Sequence, residues 1–357
     1  MKRIVGLGLL AVLTLLLAAC PFGVEIGIEP VYVSDPVVHD SDDPAVWIDS
    51  STPANSLILG TDKSSDGALF VYDVQGNELP ASTVTGLDTP NNVDVEYGLA
   101  VSGAPTDIAV VTERDQSRLR IYSLPTMTPV DGGGVPVFVG ASNREPMGIG
   151  LYKRPSDGEI FAVVSRSGGP SGSYLWQYRL HDDNSDGVVT ADHVRSFGYF
   201  SGRAQVESVA VDDELEFIYY SDELAGVRKY HADPDHPDAA EELALIGSDD
   251  LSRESEGVSI YDLGDGTGYL IISDQKANRF NIYPREGSGG DPHDHPLIKR
   301  VYTTARDSDG NETASTVLLS DFPGGLFVAM STDRTFHYYA WNQLSQAPGA
   351  ELRSLTD

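Results

Sequence analysis

Six times along the chain an apolar-x-x-Tyr signature returns, ending at Tyr72, Tyr122, Tyr178, Tyr230, Tyr283 and Tyr339. The intervals are 50, 56, 52, 53 and 56 residues, and a period in this range marks repeated supersecondary units that bury their apolar faces against one another. Ahead of each signature lies an apolar, β-branched run, at 57–61, 108–113, 160–166, 217–223, 269–275 and 326–332. Each has the length and composition of a strand. Ahead of these come runs that open on acidic or amide residues, at 42–49, 92–99, 145–152, 205–212, 254–261 and 312–319. The unit is three readable strands and a less regular fourth. Six such units predict an all-β chain, a six-bladed β-propeller of four-stranded antiparallel blades around a central channel. A β-sandwich has no super-period of this length, and β-helix repeats are far shorter.

The first residues read differently. Lys2 and Arg3 precede an apolar stretch at 4–17, and Leu17-Ala18-Ala19-Cys20 has the small-residue ending of a bacterial lipoprotein signal. The stretch is shorter than the roughly 20 apolar residues that a membrane-spanning helix needs. The expected organisation is a signal peptide at 1–19, a lipidated N-terminus and spacer at 20–38, and a single propeller domain at 39–357. Cys20 is the only cysteine, so lipidation there leaves no thiol for a disulfide or a nucleophile. Pro21 follows it, where an aspartate would have favoured the inner membrane. The expected location is therefore the bacterial cell envelope, with a monomer attached to the outer membrane through that lipid anchor alone.

With 24 Lys+Arg against 54 Asp+Glu the formal charge is −30, which argues against nucleic acid as a partner because a polyphosphate backbone is held by basic patches. In a blade the first strand lines the channel and the second runs antiparallel to it, so the start of one and the end of the other share a face of the disc. At the starts stand Asp42, Asp43, Asn92, Asp94, Glu145, Glu207, Glu254, Glu256, Asp309 and Glu312. At the ends stand Asp62, Lys63, Glu113, Arg114, Arg166, Asp222, Glu223, Asp274 and Gln275. This register gathers many carboxylates and three cations at one mouth. Like charges so crowded raise one another's pKa values unless counter-ions are bound. Oxygen ligands without organised His or Cys suit several calcium ions and disfavour zinc. An acidic rim that merely solvates the disc is the alternative. Lys63, Arg114 and Arg166 among the acids weigh against it, because cations and metal together fit a multiply charged anion such as phosphate.

These segments resemble the β-propeller phytases, calcium-dependent enzymes of six blades that hydrolyse myo-inositol hexakisphosphate (phytate). The likeness rests on Asp42-Asp43-Pro44-Ala45-Val46-Trp47, Gly60-Thr61-Asp62-Lys63, Asn91-Asn92-Val93-Asp94, Gln205-Val206-Glu207, Asp212-Asp213-Glu214 and Glu256-Gly257-Val258-Ser259-Ile260-Tyr261, with more generic strand sequences at 268–273 and 325–329. The resemblance implies calcium ligands at Asp42, Asp43, Asn92, Asp94, Glu207, Glu223, Glu256 and Asp309. It implies phosphate contacts from Lys63, Arg114 and Arg166, catalytic roles for Lys63, Arg114 and Glu207, and metal-assisted attack of water on a small-molecule phosphate ester. Three positions depart from the family pattern. Ser64 stands where a second lysine is frequent, Glu96 where a basic residue is usual, and Met147 where a tyrosine contributes to the phosphate site. Glu96 reverses a charge: either it points away from the mouth and its family counterpart is only a surface charge, or affinity for a highly phosphorylated ring is lowered, toward smaller phosphomonoesters or toward the alternative of a calcium-stabilised propeller that binds a ligand or partner without hydrolysis. A propeller glycosidase or lactonase would leave the three cations without a role.

Two further motifs stand apart. Asp182-Asp183-Asn184-Ser185-Asp186-Gly187 resembles the opening of an EF-hand loop, but the twelfth position is His193, and the reading preferred is a polar hairpin loop. His293 and His295, set between Pro292 and Pro296, are expected in an exposed loop. Asn311-Glu312-Thr313 fits a glycosylation acceptor by chance. The chain contains no Gly-x-Ser-x-Gly elbow and no phosphate-binding Walker loop.

Overall fold

The computed structural model describes residues 27–252 and 254–356. They form six antiparallel sheets that follow one another around a central channel. Blade one is Ser41–Trp47, Leu57–Asp62, Gly67–Tyr72 and Val84–Leu87. Blade two is Pro90–Val101, Ala104–Glu113 and Arg118–Ser123, with Val135–Pro136 and Thr128–Pro129 on its outer edge. Blade three is Pro146–Lys153, Ile160–Arg166, Leu175–His181 and Thr190–Phe197. Blade four is Val209–Asp212, Phe217–Asp222, Gly226–His231 and Ala244–Ile246. Blade five is Ser255–Asp262, Gly268–Asp274, Arg279–Pro284 and Lys299–Tyr302. Blade six takes Asn311–Ala314, Leu326–Ser331 and Thr335–Ala340 from the end of the chain and Tyr32–Val33 from its beginning.

That last pairing, Tyr32 opposite Tyr338 and Val33 opposite His337, closes the ring. It corrects the expected spacer at 20–38, because part of that segment is the outer strand of the sixth blade. The signal, Cys20 and the other residues before 27 lie outside the described residues.

The second strands read as continuous apolar runs for a physical reason. Successive side chains of a strand face opposite sides of the sheet, and here both sides are covered by a neighbouring blade. Ile58 packs with Phe336 and Tyr338 between blades six and one, whereas Leu59 packs with Val93 and Ala109 between blades one and two. The core is thus six apolar layers, one per blade interface. The repeated tyrosines are buried at the third strands. Several of their hydroxyls fix the segment leading into the same blade: Tyr178 accepts from the Phe138 N–H at 2.7 Å, Tyr230 from Tyr199 at 3.1 Å and Tyr339 from Ala305 at 3.2 Å.

A second repeat, not read from the sequence, ties neighbouring blades together. Each second strand carries a Ser or Thr whose hydroxyl donates to a carbonyl of the next blade's first strand or its approach: Thr61 to Asn91 at 2.7 Å, Thr112 to Met147 at 2.8 Å, Ser165 to Val206 at 2.6 Å and Ser273 to Ser308 at 2.7 Å. Ser221 does the same to Ser255. At the closure the direction reverses, and Ser41 donates to the Ser331 carbonyl at 2.9 Å.

The first strands position the site. In blades one, two, three and five the register slips between Ser41 and Pro44, Pro90 and Val93, Pro146 and Ile149, and Ser255 and Val258. Such bulges take residues out of the ladder and re-aim their side chains. The residues released are Asp42 and Asp43, Asn91 and Asn92, Met147 and Gly148, and Glu256 and Gly257. In blades four and six the first strands are shorter than expected, and Glu207 and Asp309 precede them. Close approach of the blades demands glycine at Gly310, where a Cβ would lie 2.5 Å from Asp43 Oδ1 and 2.7 Å from the Asp42 carbonyl.

Candidate active site

Asp42, Lys63, Arg114, Glu207, Glu223, Glu256 and Asp309, drawn from all blades but the third, meet at one end of the channel. Lys63 donates to Asp42 Oδ1 and reaches across to stand 3.8 Å from Glu207 Oε2. Arg114 lies 3.6 Å from Glu145 Oε2, and its charge is felt at both Asp42 and Glu207. Gln275 donates its amide to Asp309 Oδ1.

Five carboxylates, Asp42, Glu223 and Glu256 buried and Glu207 and Asp309 partly so, face two cations there, and the imbalance sets their chemistry. Burial raises Asp42 and Glu207 above the usual carboxylate range, with Lys63 and Arg114 pulling the other way. Burial, then the charges of Asp42 and Glu207, push Asp309 up to about 8. Burial and Glu207 push Glu223 up to about 7. Glu256 is raised well above its ordinary value, by burial and then by Glu223, Glu207, Asp309 and Asp42. Lys63 responds in the opposite sense: burial opposes its charge, but Asp42, Glu207 and Asp309 together hold it well above the ordinary lysine value.

Calcium, which the family resemblance implies, fits this donor set. The ligands are hard oxygens, and Glu256 Oε2 is buried without a hydrogen-bond partner. No three His, Cys, Asp or Glu among the described residues are grouped closely enough to hold an ion as they stand. An ion would have to draw the carboxylates together.

The sequence reading put all eight ligands in one mouth, and here the structure corrects it. Asp43, Asn92 and Asp94 line the channel deeper in, with Asn311 and Glu312. Asp43 accepts from the Val93 N–H at 3.0 Å, and Asp94 accepts from Val95 and Leu151, each at 2.7 Å. Burial raises Asp94 to about 7 and Glu312 to about 8, and lifts Asp43 well above its ordinary value. Asn311 Oδ1 and Ser259 Oγ in this wall are buried and unpartnered. The bulge in blade one separates the adjacent pair, with Asp42 in the mouth and Asp43 in the channel.

Glu96 lies further still, opposite Ile108 in the ladder and toward the other face of the disc. It is buried beside Asp213 and Lys153, and burial raises Glu96 to about 7 and Asp213 to about 8. The charge reversal therefore does not touch the mouth, and the alternative of binding without hydrolysis loses its main support. Met147 is fully buried, with its carbonyl accepting from Thr112.

Arg166 is a second correction. Its guanidinium carbon lies 5.1 Å from the Phe138 ring centre and 5.8 Å from that of Trp176, and Nη2 donates to the Ser173 carbonyl at 2.9 Å. It is 3% exposed, and burial lowers its pKa. An arginine stem and face cover apolar surface well, and here that packing takes the side chain away from the acids. His295 lies in a loop, as expected, but not an exposed one. It is buried, with Nδ1 2.6 Å from the Pro284 carbonyl and Nε2 3.1 Å from Lys229 Nζ. Asp182, at the head of the EF-hand-like segment, spends its oxygens on the N–H groups of Ser102, Asp186 and Gly187 at 2.8, 3.1 and 2.9 Å. That is the bonding of a hairpin loop. The Asn311 acceptor is 3% exposed and so out of reach of glycosylation.

Sequence reasoning passed over Asn91, which is fully buried and donates to both Asp42 and Asn92. Its one signal was adjacency to Asn92 within the same motif.

A family model described as phytase matches residues 24–347. Over 336 residues the chain is 28% identical to the 3-phytase of Bacillus subtilis (strain 168), covering 88% of this chain and 84% of that relative. Among solved structures, the hydrazine synthase of Kuenenia stuttgartiensis is similar at a TM-score of 0.47 with 14% identity, over 83% of this chain and 82% of that one. The Dos1 propeller is similar at 0.43 with 9% identity, over 88% and 69%. The match of the family model along nearly the whole propeller, with the acidic and basic residues of the mouth inside it, identifies this chain as a member of the phytase family.

Proposed function

We propose that the protein is a calcium-dependent phosphomonoesterase that hydrolyses phytate to lower inositol phosphates and inorganic phosphate. The observation that carries this reading is the mouth, where five buried or partly buried carboxylates outnumber two cations and Glu256 Oε2 has no partner. Membership of the phytase family and the relationship to a 3-phytase support it.

Asp42, Glu207, Glu223, Glu256 and Asp309 would hold calcium in the mouth, and Asp43, Asn92 and Asp94 in the channel. Bound calcium would supply positive charge and Lewis acidity for the phosphoryl oxygens. Lys63 and Arg114 are the protein's own cations for the transferring phosphoryl group, stabilising charge that grows as the ester bond breaks. Glu207, raised above the usual carboxylate range and 3.8 Å from Lys63 Nζ, is suited to accept the proton of an attacking water at Oε2. Burial of the group keeps its affinity for that proton. No side chain needs to carry a phosphoryl intermediate.

The test is phosphate release from phytate by chelated and calcium-replete protein. Turnover that disappears with chelator and returns with calcium is expected; release unchanged by chelator, or none from phytate in saturating calcium, overturns the reading. The same reading includes a monomer anchored to the outer membrane through lipid on Cys20, for which mass spectrometry of the mature N-terminus is the check.

A further inference from the structure

Asp42 is gripped at both oxygens. Lys63 donates to Oδ1, and Asn91 Nδ2 donates to Oδ2 at 3.1 Å. The same Nδ2 donates to Asn92 Oδ1 at 2.7 Å, so one amide joins an acid of the mouth to a residue of the channel. Its orientation follows from chemistry. The reverse orientation would set the Asn91 carbonyl oxygen against two acceptors, the carboxylate of Asp42 and the carbonyl oxygen of Asn92. Both amide hydrogens are thereby spent, and Asn91 Oδ1 is left buried with no partner. An unsatisfied buried acceptor is costly, and Asn91 is wholly inaccessible to solvent, so hydration does not explain its place. Its backbone is pinned as well, since the Asn91 carbonyl accepts from Thr61 Oγ1 at 2.7 Å.

We infer that Asn91 is a positioning residue for cation binding, holding Asp42 in the orientation that meets an ion in the mouth while tying it to Asn92 in the channel. It touches neither substrate nor the reacting atoms; it acts through Asp42. Groups that orient a ligand from behind typically contribute about 10–100-fold to metal affinity. Among the described residues, Lys63 and Asn91 bond to Asp42 through their side chains, and of the two Asn91 also bonds to the channel cluster.

The inference rests on the calcium reading above, and one experiment separates the two. Calcium is titrated calorimetrically, without substrate, into the full protein and into Asn91→Ala and Asn91→Asp. Asn91→Ala removes both donors; Asn91→Asp keeps the shape but sets a carboxylate against Asp42. The expected result is calcium binding weakened about 10-fold or more by Asn91→Ala and further by Asn91→Asp, with phytate turnover in Asn91→Ala recovered at high calcium. Melting of the calcium-free proteins is the accompanying readout. A residue that serves only folding would lower all the calcium-free melting temperatures and leave the affinity of folded protein unchanged. Calcium affinity within twofold of the parent in both variants overturns the inference, whereas a parent that binds no calcium overturns the earlier reading instead.

Discussion

Two clusters of buried acid, one around Arg285 and one in the mouth, are built in opposite ways. Toward the far face, Asp212 is fully buried but meets Arg285 through two bonds, Nε to Oδ2 and Nη2 to Oδ1, both 2.6 Å. Arg285 also pairs with Glu214 at 3.0 Å and with Asp262, and these two acids keep nearly half of their side-chain surface in water. Around Arg285 the buried charge has a dedicated partner, and the surplus is hydrated. In the mouth the surplus is itself buried: Glu256 is 6% exposed and its Oε2 bonds to nothing. The difference teaches how to tell an acidic cluster that holds the fold together from one that awaits a ligand. Both belong to motifs of similar appearance, and only the supply of partners distinguishes them.

Substitutions should break this contrast in opposite directions. The largest effect expected is on turnover: Lys63→Ala should lower kcat/KM for phytate by about 10²–10³, the loss typical for a group that stabilises developing charge. Steady-state kinetics in saturating calcium, with circular dichroism to verify folding, provide the measurement. Next comes the far face. Arg285→Met leaves Asp212 buried without a counter-charge and should destabilise the protein by about 3–5 kcal/mol, read from urea unfolding, with activity per folded molecule retained.

A smaller effect is expected with pH. The mouth carboxyls have raised pKa values when folded, Glu223 about 7 and Asp309 about 8, so folded calcium-free protein binds more protons than the unfolded chain above the ordinary carboxyl range. Stability must then fall as pH rises from about 5 to about 8. A decline in melting temperature on the order of 5 °C is expected over that interval without calcium, flattened when calcium is added. The smallest effects should come from Arg166, which the sequence placed in the site, and from Glu96, whose charge reversal departs from the family pattern. Arg166→Met and Glu96→Gln should each change kcat/KM for phytate by less than about twofold, and Arg166→Met should show its cost in stability through lost packing.

How much was readable in advance follows from which interactions are periodic. The blade count and the second strands were legible because every blade buries both faces, which imposes the same apolar run six times. The shared face of Asp42, Lys63, Arg114, Glu207, Glu223, Glu256 and Asp309 was legible because antiparallel register alone decides it. Depth along the channel was not. Asp42 and Asp43 are neighbours in sequence, yet a bulge sends one to the mouth and the other inward, and no residue type in Ser41–Trp47 announces that slip. Arg166 ends its strand as Lys63 and Arg114 follow theirs, but Phe138 and Trp176 offer it an aromatic surface that only the packing of blades two and three creates. The ring of Ser and Thr hydroxyls was written in the sequence at similar spacing, but such small residues are too common for the pattern to stand out.

By itself, then, the sequence determined six blades, the face on which charge collects and the chemical character of that charge, because these depend on periodicity and strand direction, both local properties of the chain. Tertiary structure alone decided which carboxylates stand together in the mouth, which cation turns away, and that Tyr32–Val33 closes the last blade. Those outcomes depend on distances between segments remote in sequence, and on which partner reaches a buried charge first.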